Sequence, residues 1–213
     1  MPDLEFRVAG AEPVTGALTP IMRFPLEVSE TTGVRVDTIA LTCQIMLETR
    51  RRNYDEREQE ALLDLFGERA RWGDTLKTMV WTHASVMVPG FEGTTTVNVE
   101  IPCSLDVSVA AAKYFFALES GVVPLVFQFS GTVFLDVDGA LQVERIPWSK
   151  EAQFRLPVAT WKAMMDEHYP EGVWICLRRD VFDRLYRYKA HRGRPTWEQT
   201  FDDLLDAISE TAQ

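Results

Sequence analysis

Apolar and polar residues alternate through most of the first 150 positions of this chain. In the segment 38–48 every second side chain is apolar: Ile39, Leu41, Cys43, Ile45 and Leu47. Successive side chains of a strand point to opposite faces, so a period of two places these residues on one buried face. The same alternation recurs at 4–8, 22–28 and 97–101. Strands with one buried face favour antiparallel pairing in two packed sheets.

A longer alternating segment starts at Leu125 and reaches Val137. Gly131 interrupts it, and a glycine inside a strand indicates a bend or a bulge. Asp138 and Gly139 follow directly and precede another short alternating run. Because Asp-Gly between two such runs is a strong hairpin signal, the sequence predicts a long strand followed by a tight turn.

Short helices are predicted between these strands. Asp55 and Glu58 have the spacing of a capping box, and the segment 61–66 carries apolar residues at helical spacing. The segment 110–118 has a similar apolar stripe. Both segments are expected to be insertions that close the ends of the sheets.

The last third of the chain changes to helical spacing. The segment 158–168 predicts a helix and the segment 173–177 a final strand. Another helix is predicted through 181–188, and it ends at Gly193, since glycine commonly stops a helix. Thr196 has the position of the N-cap of a last helix.

These patterns predict a mainly β protein with α elements, namely an antiparallel β-sandwich-like body with inserted short helices and C-terminal helices. The body takes residues 1–150. A mostly helical portion, residues 151–213, is expected to pack on it as one structural unit. A chain of 213 residues buries enough apolar surface to fold without disulfides or a structural metal.

The charge of the chain limits the classes of partner. Its formal net charge is −10 at pH 7, which disfavours approach to nucleic acid and to anionic membranes. No apolar run has the length of a membrane span, and the segment 1–10 lacks the features of a secretory signal. With three scattered cysteines, the composition predicts a cytoplasmic protein with reduced thiols.

No motif for catalysis, cofactor binding or metal binding is recognisable. The cysteines are far apart along the chain, and neither CxxC nor HExxH occurs. We therefore predict no catalytic, cofactor-binding or metal-binding residue. Two alternatives remain open: an enzyme whose site assembles from distant segments around His83 or His168, and a sandwich that binds a small apolar ligand between its sheets.

Contact with a partner is better supported than chemistry. The segment 178–194 holds seven Arg or Lys residues and two Asp residues, a local reversal of sign in an acidic protein. Helical spacing places Arg184, Arg187 and His191 on one face, and Arg194 follows. The basic segment is either a solvated face or a docking surface for an acidic partner.

A second candidate for contact with a partner is Phe91. Phe91 follows a Pro-Gly turn and is either packed in the core or exposed for recognition. The run Arg50, Arg51 and Arg52 at the end of a strand is predicted to be solvated.

Several segments resemble a bacterial family of unknown function. They are WTHASVMVPGFEG at 81–93, VAAAKYFFAL at 109–118, FSGTVF at 129–134, YDEREQEALLDLFGERARWG at 54–73, IPWSKEA at 146–152 and PTW at 195–197. The resembling family is common in actinobacteria and is often encoded beside uptake nickel–iron hydrogenase genes. This resemblance implies an accessory role in hydrogenase assembly or stability but transfers no catalytic residue.

The hydrogenase association also has to fit the composition. Handling of nickel or iron–sulfur clusters normally requires clustered Cys and His, which the chain lacks. The leading hypothesis is therefore a non-catalytic interaction protein whose partner is a protein, and the resemblance implies a hydrogenase subunit or a maturation factor.

Overall fold

Two antiparallel sheets form the β part of the computed structural model, which describes residues 2–104, 108–137, 140–170, 172, 175 and 177–211. Within these residues the strands are β1 (Leu4–Val8), β2 (Glu12–Pro13), β3 (Ile21–Glu30), β4 (Thr38–Leu47), β5 (Met79–Val88), β6 (Thr94–Pro102), β7 (Val122–Val137), β8 (Ala140–Arg145) and β9 (Glu151–Pro157). The helices are α1 (Glu56–Ala61), α2 (Leu63–Phe66), α3 (Trp72–Thr75), α4 (Val109–Ala117), α5 (Val158–His168), α6 (Arg179–Arg192) and α7 (Trp197–Thr211). The prediction of a mainly β protein with α elements is confirmed.

In each sheet one strand pairs with three others: β3 in the first sheet and β7 in the second. In the first sheet β3 pairs with β1, β2 and β6. In the second the order is β5-β4-β7-β8, and β9 pairs with the other half of β7. All of these pairs are antiparallel, as the alternation predicted.

The inner faces of the two sheets meet in an aromatic core. Buried and half-buried residues alternate along the whole of β3 and β4. Phe24 of β3 lies edge-on to Phe127 of β7, with ring centroids 5.2 Å apart. Below them Phe115 of α4 stacks on Trp161 of α5 at 5.0 Å. Rings from both sheets and from α4 and α5 thus pack within the core.

A β-bulge changes the parity of β5. Ile45 of β4 pairs with Thr82 while Met46 pairs with Val80, so Trp81 is the extra residue. Met79, before the bulge, packs against the core, whereas His83, after it, is exposed. Although Met79 and His83 are an even number of positions apart, the bulge therefore places them on different faces of β5.

Gly131 lies at a close approach between β7 and β4 rather than in a bulge, because the β4–β7 register continues through it. Its φ is +144°, and a Cβ atom added there would lie 2.1 Å from the carbonyl oxygen of Ala40. Only glycine fits this position without displacing backbone.

Some predicted elements fall partly on residues outside the described ranges. The hairpin turn Asp138-Gly139 is one of them, although the flanking residues Val137 and Ala140 pair as hairpin strands do. In the predicted strand 173–177, residues 173, 174 and 176 are outside the described ranges, and Ile175 and Leu177 have no strand structure.

The helical signals agree with the observed helices. Asp55 caps α1 by accepting a hydrogen bond from the N–H of Glu58 at 2.9 Å, and α5 spans the predicted residues 158–168.

The chain divides into two compact units, Met1–Gly172 and Val173–Gln213. Strand β9 and helix α5 therefore belong to the first unit, and the division lies beyond residue 150. No helix within the described residues is both long and apolar enough to cross a membrane.

The carboxylate of Glu30 organises the turn after β3. Glu30 is 5% exposed and accepts hydrogen bonds from the N–H groups of Asp3, Thr32 and Val34 at 2.9–3.1 Å and from the Thr32 hydroxyl. Burial alone raises the pKa of Glu30, but these hydrogen bonds together outweigh it and lower the pKa to about 2. The ionised form thus stabilises the fold.

We expect Glu30→Gln to lower the free energy of unfolding at pH 7 by about 2 kcal/mol, because an amide cannot replace the charge-assisted hydrogen bonds. The folded-state pKa lies below the usual 4.5, so the advantage of the wild type is full at neutral pH. It should shrink as the pH falls from about 4.5 to about 2. Urea denaturation of both proteins between pH 7 and pH 2 measures this difference. Glu60→Gln, at an exposed position, should leave stability nearly unchanged at every pH.

Candidate functional site

Helices α6 and α7 contact each other through side chains in the second unit. Gly193 ends α6 in the left-handed conformation at φ +64°, and its N–H donates to the carbonyls of Ala190 and Lys189. Rings from both helices then meet between them at centroid distances of 5.5–6.4 Å: Phe182, Tyr186, Trp197 and Phe201. The pair is joined by aromatic contacts that the helical spacing of these residues creates.

The predicted contact residues of α6 lie on its surface. Arg184, Arg187 and His191 are all exposed. Within the described part of the chain none of the three forms an ion pair, although Arg187 donates from Nε to the carbonyl of Asp183 at 3.2 Å. We call these three side chains the α6 basic face, and its two arginines present cationic groups to solvent.

Arg194 is held differently from the α6 basic face. Its guanidinium donates two hydrogen bonds to Asp203 of α7, at 2.6 and 2.7 Å. This bidentate contact raises the pKa of Arg194. Arg194 thus joins the two helices, and its charge is already paired within the unit.

Phe91 is buried in the first unit. It is 9% exposed and forms a two-way backbone bridge with Val36, with N···O distances of 2.9 and 3.0 Å. Of the two alternatives for Phe91, core packing and exposure for recognition, the structure shows core packing. Its side chain is not available to a partner.

The two histidines considered for catalysis do not converge. His83 is exposed on β5, with Nε2 3.1 Å from the side-chain oxygen of Gln44. His168, at the end of α5, has one ring nitrogen 2.9 Å from the carbonyl of Met164 and the other 3.1 Å from that of Ala17. Each ring is engaged by amide or carbonyl groups, and within the described ranges no carboxylate is hydrogen-bonded to either ring as in a general base.

The described thiols are buried and unreactive. Cys43 is fully buried, and burial raises its pKa to about 12. Burial likewise raises the pKa of Cys103 to about 12. Such thiols are poor nucleophiles and poor metal ligands. Cys176 lies outside the described residues, and among the described residues no group of three His, Cys, Asp or Glu is arranged to hold a metal.

The prediction that Arg50, Arg51 and Arg52 are all solvated is wrong for Arg52. The Arg52 side chain is 8% exposed and forms an ion pair with Glu58, which is 3% exposed. Arg52 also donates to the carbonyls of Ser120 and Val122, at 2.7 and 3.0 Å. Arg50 is bound as well, through the carbonyls of Leu76 and Gly73.

Two tyrosines extend this buried polar group. The hydroxyls of Tyr54 and Tyr114 are 2.7 Å apart, and the Tyr54 hydroxyl donates to the carbonyl of Thr49. Burial raises the pKa of Tyr54 to about 12 and raises that of Tyr114 further. Neutral tyrosines and a closed ion pair are typical of a structural polar network, which here anchors α1 and α4 to the strand ends.

The described surface has shallow concavities. One, of about 120 Å³, lies beside Glu48, Arg51 and Arg155; another, of about 10 Å³, lies between Trp81, Cys103 and Trp161. Both are smaller than the ~300–1,000 Å³ that is usual for small-molecule sites. The α6 basic face is therefore the candidate functional site that the geometry favours.

Comparison with solved structures gives distant likenesses, two of which are to proteins from Pyrococcus furiosus and Kluyveromyces marxianus. The CARDB domain of a Pyrococcus furiosus protein, solved in complex with di-metal ions, matches with a TM-score of 0.30 and 10% identity over 73% of this chain and 92% of that domain. A beta-glucosidase from Kluyveromyces marxianus matches with a TM-score of 0.27 and 14% identity over 72% of this chain and 15% of the enzyme. These values support no inference about ligands or activity.

Sequence comparison is more informative. No curated protein matches the chain. The model of one family, described as a family of unknown function, matches residues 1–213, so the predicted resemblance is confirmed along the whole chain. The chain therefore belongs to the family of unknown function DUF6084.

Proposed function

We propose that this protein is a non-catalytic interaction protein that binds an acidic surface of a partner protein through the α6 basic face. One observation carries the proposal: Arg184, Arg187 and His191 are exposed on one helix without an ion pair among the described residues. In a chain of net charge −10, unneutralised arginines on one face are complementary to a carboxylate-rich partner.

The neighbouring charges support this reading. Arg178 pairs with Asp180 and Arg194 pairs with Asp203, so these two acids already have cationic partners, whereas Asp183 of α6 directly precedes Arg184. Arg192 lies over the ring of Tyr188 at 5.5 Å. The bidentate geometry of arginine is well suited to the carboxylates of a partner.

We also propose which kind of protein the partner is. The gene neighbourhood implied by the family resemblance makes a hydrogenase subunit or maturation factor the first partner to test. Such an accessory protein would act in the cytoplasm, and the free, buried thiols of Cys43 and Cys103 suit a reducing compartment.

We expect Arg184→Glu/Arg187→Glu to weaken partner binding at least about 100-fold, because two attractive charges become repulsive. The measurement is calorimetric titration of the purified protein with hydrogenase subunits and maturation factors from its own host. Wild-type binding should also weaken with rising salt, since exposed charges are screened over about 10 Å at 0.1 M.

The matched control is Arg71→Glu/Lys77→Glu, which makes the same change in net charge at exposed positions of the first unit. It should bind like the wild type. Equal loss in both variants would show that net charge, rather than the α6 basic face, governs binding. Absence of binding to every tested hydrogenase protein would refute the hydrogenase partner.

A further inference from the structure

The two helices of the second unit carry opposite charges. Helix α6 contains five Arg or Lys residues and two Asp residues, whereas α7 contains five Asp or Glu residues and no Arg or Lys. Over residues 173–213 the two signs are equal, with seven of each, so the net charge of −10 lies in residues 1–172. The second unit is therefore neutral as a whole, with its charges separated between two helices.

The α6 basic face points away from α7. Phe182 and Tyr186 of α6 meet the ring of Trp197 in α7, at centroid distances of 5.5 and 6.4 Å. Because a helix turns by about 100° per residue, Arg184 and Arg187 lie on the side of α6 opposite Phe182. The exposed arginines are thus directed away from the contact between the two helices.

Helix α7 has a matching acidic side. Glu198, Asp202 and Asp206 recur every four residues, so they follow one side of the helix, and we call them the α7 acidic face. All three are exposed, and none of them forms an ion pair within the described part of the chain. Asp202 and Asp206 lie on the side of α7 opposite Trp197, which is the residue that contacts α6.

The two charged faces do not neutralise each other within one copy, because both are directed away from the contact between α6 and α7. The described ion pairs of this unit use other carboxylates, namely Asp180 with Arg178 and Asp203 with Arg194. One neutral unit thus presents exposed cations on one side and exposed carboxylates on another.

Apolar side chains border both charged faces. Leu205 is 62% exposed and lies three positions after Asp202, so the two are neighbours on α7. Tyr188 is half-buried and lies four positions after Arg184 on α6. Contact between the two faces would therefore bury apolar surface as well as pair charges.

Charge complementarity favours another copy of this chain as the occupant of the α7 acidic face. A carboxylate-rich helix side is complementary to a helix that exposes unpaired arginines, and the α6 basic face of a second copy is such a surface. Since the second unit carries no net charge, contact between two second units meets no net repulsion.

We propose that copies of this chain associate head to tail, with the α7 acidic face of one copy on the α6 basic face of the next. Because two different faces meet, the contact is heterologous and can add further copies beyond two. The inference rests on the proposed function in one respect: a copy bound to the α6 basic face excludes the acidic partner, so self-association controls access to that face.

Sedimentation velocity of the purified full chain at low salt, between about 10 and about 500 µM, tests the proposal, because contacts dominated by exposed charges are weak. The sedimentation coefficient of the wild type should rise with concentration. Arg184→Glu/Arg187→Glu and Asp202→Arg/Asp206→Arg should each weaken self-association at least about 10-fold, since like charges then meet. These variants change the net charge in opposite directions, so a loss in both cannot arise from overall repulsion.

An equimolar mixture of the two variants is the decisive sample. The acidic α6 of the first variant then meets the basic α7 of the second, and the remaining faces match as in the wild type, so association should return to the wild-type level. Circular dichroism should show both variants folded. A mixture that associates no more than either variant alone would overturn the proposal, and so would a wild type that stays monomeric throughout.

Salt provides a measurement that needs no variant. Raising the salt concentration to about 0.5 M should weaken wild-type self-association, because exposed charges are then screened within a few ångströms. Self-association that is unchanged by salt would contradict a contact between charged faces. Asp202→Arg/Asp206→Arg keeps the α6 basic face, so it should still bind an acidic partner, and its titration with the hydrogenase proteins tests the proposed function separately.

Discussion

Replacing Gly131 with alanine is expected to lower the free energy of unfolding by more than about 3 kcal/mol, among the larger effects of single substitutions. The added Cβ atom would lie 2.1 Å from the carbonyl oxygen of Ala40 and 3.1 Å from its carbonyl carbon. Both are backbone atoms of β4, at the centre of the second sheet, so neither can move without breaking ladder hydrogen bonds. Urea denaturation followed by far-ultraviolet circular dichroism measures the loss.

The variant Gly33→Ala is a control that separates the effect of the steric contact from the effect of backbone strain. Gly33 also has a positive φ, +79°, but nothing lies within 4 Å of the position of an added Cβ. Strain alone is expected to cost about 1–2 kcal/mol there. If the two variants lost equal stability, the contact with Ala40 would not be the reason for glycine at position 131.

Breaking the buried ion pair between Arg52 and Glu58 is expected to cost about 3–5 kcal/mol, the range for removal of one partner of such a pair. In Arg52→Met, the carboxylate of Glu58, which is 3% exposed, loses its cation, and among the described residues the N–H of Glu119 remains as the donor to the same oxygen. The carbonyls of Ser120 and Val122 lose donors as well. Thermal and urea unfolding both measure this loss.

A double-mutant cycle isolates the pair. Arg52→Met/Glu58→Leu removes both charges, so it should be markedly more stable than the sum of the single losses implies. The neighbouring Arg51→Met breaks a pair with Glu48 in which Arg51 is 59% exposed, and it should cost less than about 1 kcal/mol. Additive single losses in the cycle would contradict a coupled buried pair.

The pattern of apolar residues predicted the secondary structure wherever it keeps the two-residue period of a strand or the period of a helix without interruption. Strand β4 keeps a single buried parity from Thr38 to Leu47, and α5 keeps its helical stripe over its whole length. The parity of β5 was not predictable, because the extra residue at Trp81 changes which side chains face inward. Strand order was also beyond the pattern, since pairing depends on contacts between distant segments.

The side chains of the candidate site also differ in whether local spacing or contacts between distant segments determine their positions. The spacing of Arg184 and Arg187 predicted a shared helix face, because that spacing depends only on helical geometry. The contact of Arg194 with Asp203 depends on how α6 and α7 pair. Likewise, nothing local distinguishes Arg52 from Arg51, because Glu58 and the carbonyls around Ser120 surround Arg52 only in the folded chain.

The central place of β7 has a consequence during synthesis on the ribosome. Strand β7 pairs with β4, β8 and β9, yet it begins only at Val122, long after β4 and β5 have been made. At about 5–20 residues per second, nascent chains spend several seconds with one edge of β4 unpaired. A chaperone that recognises extended apolar segments is therefore expected to associate with translating chains before β7 leaves the exit tunnel.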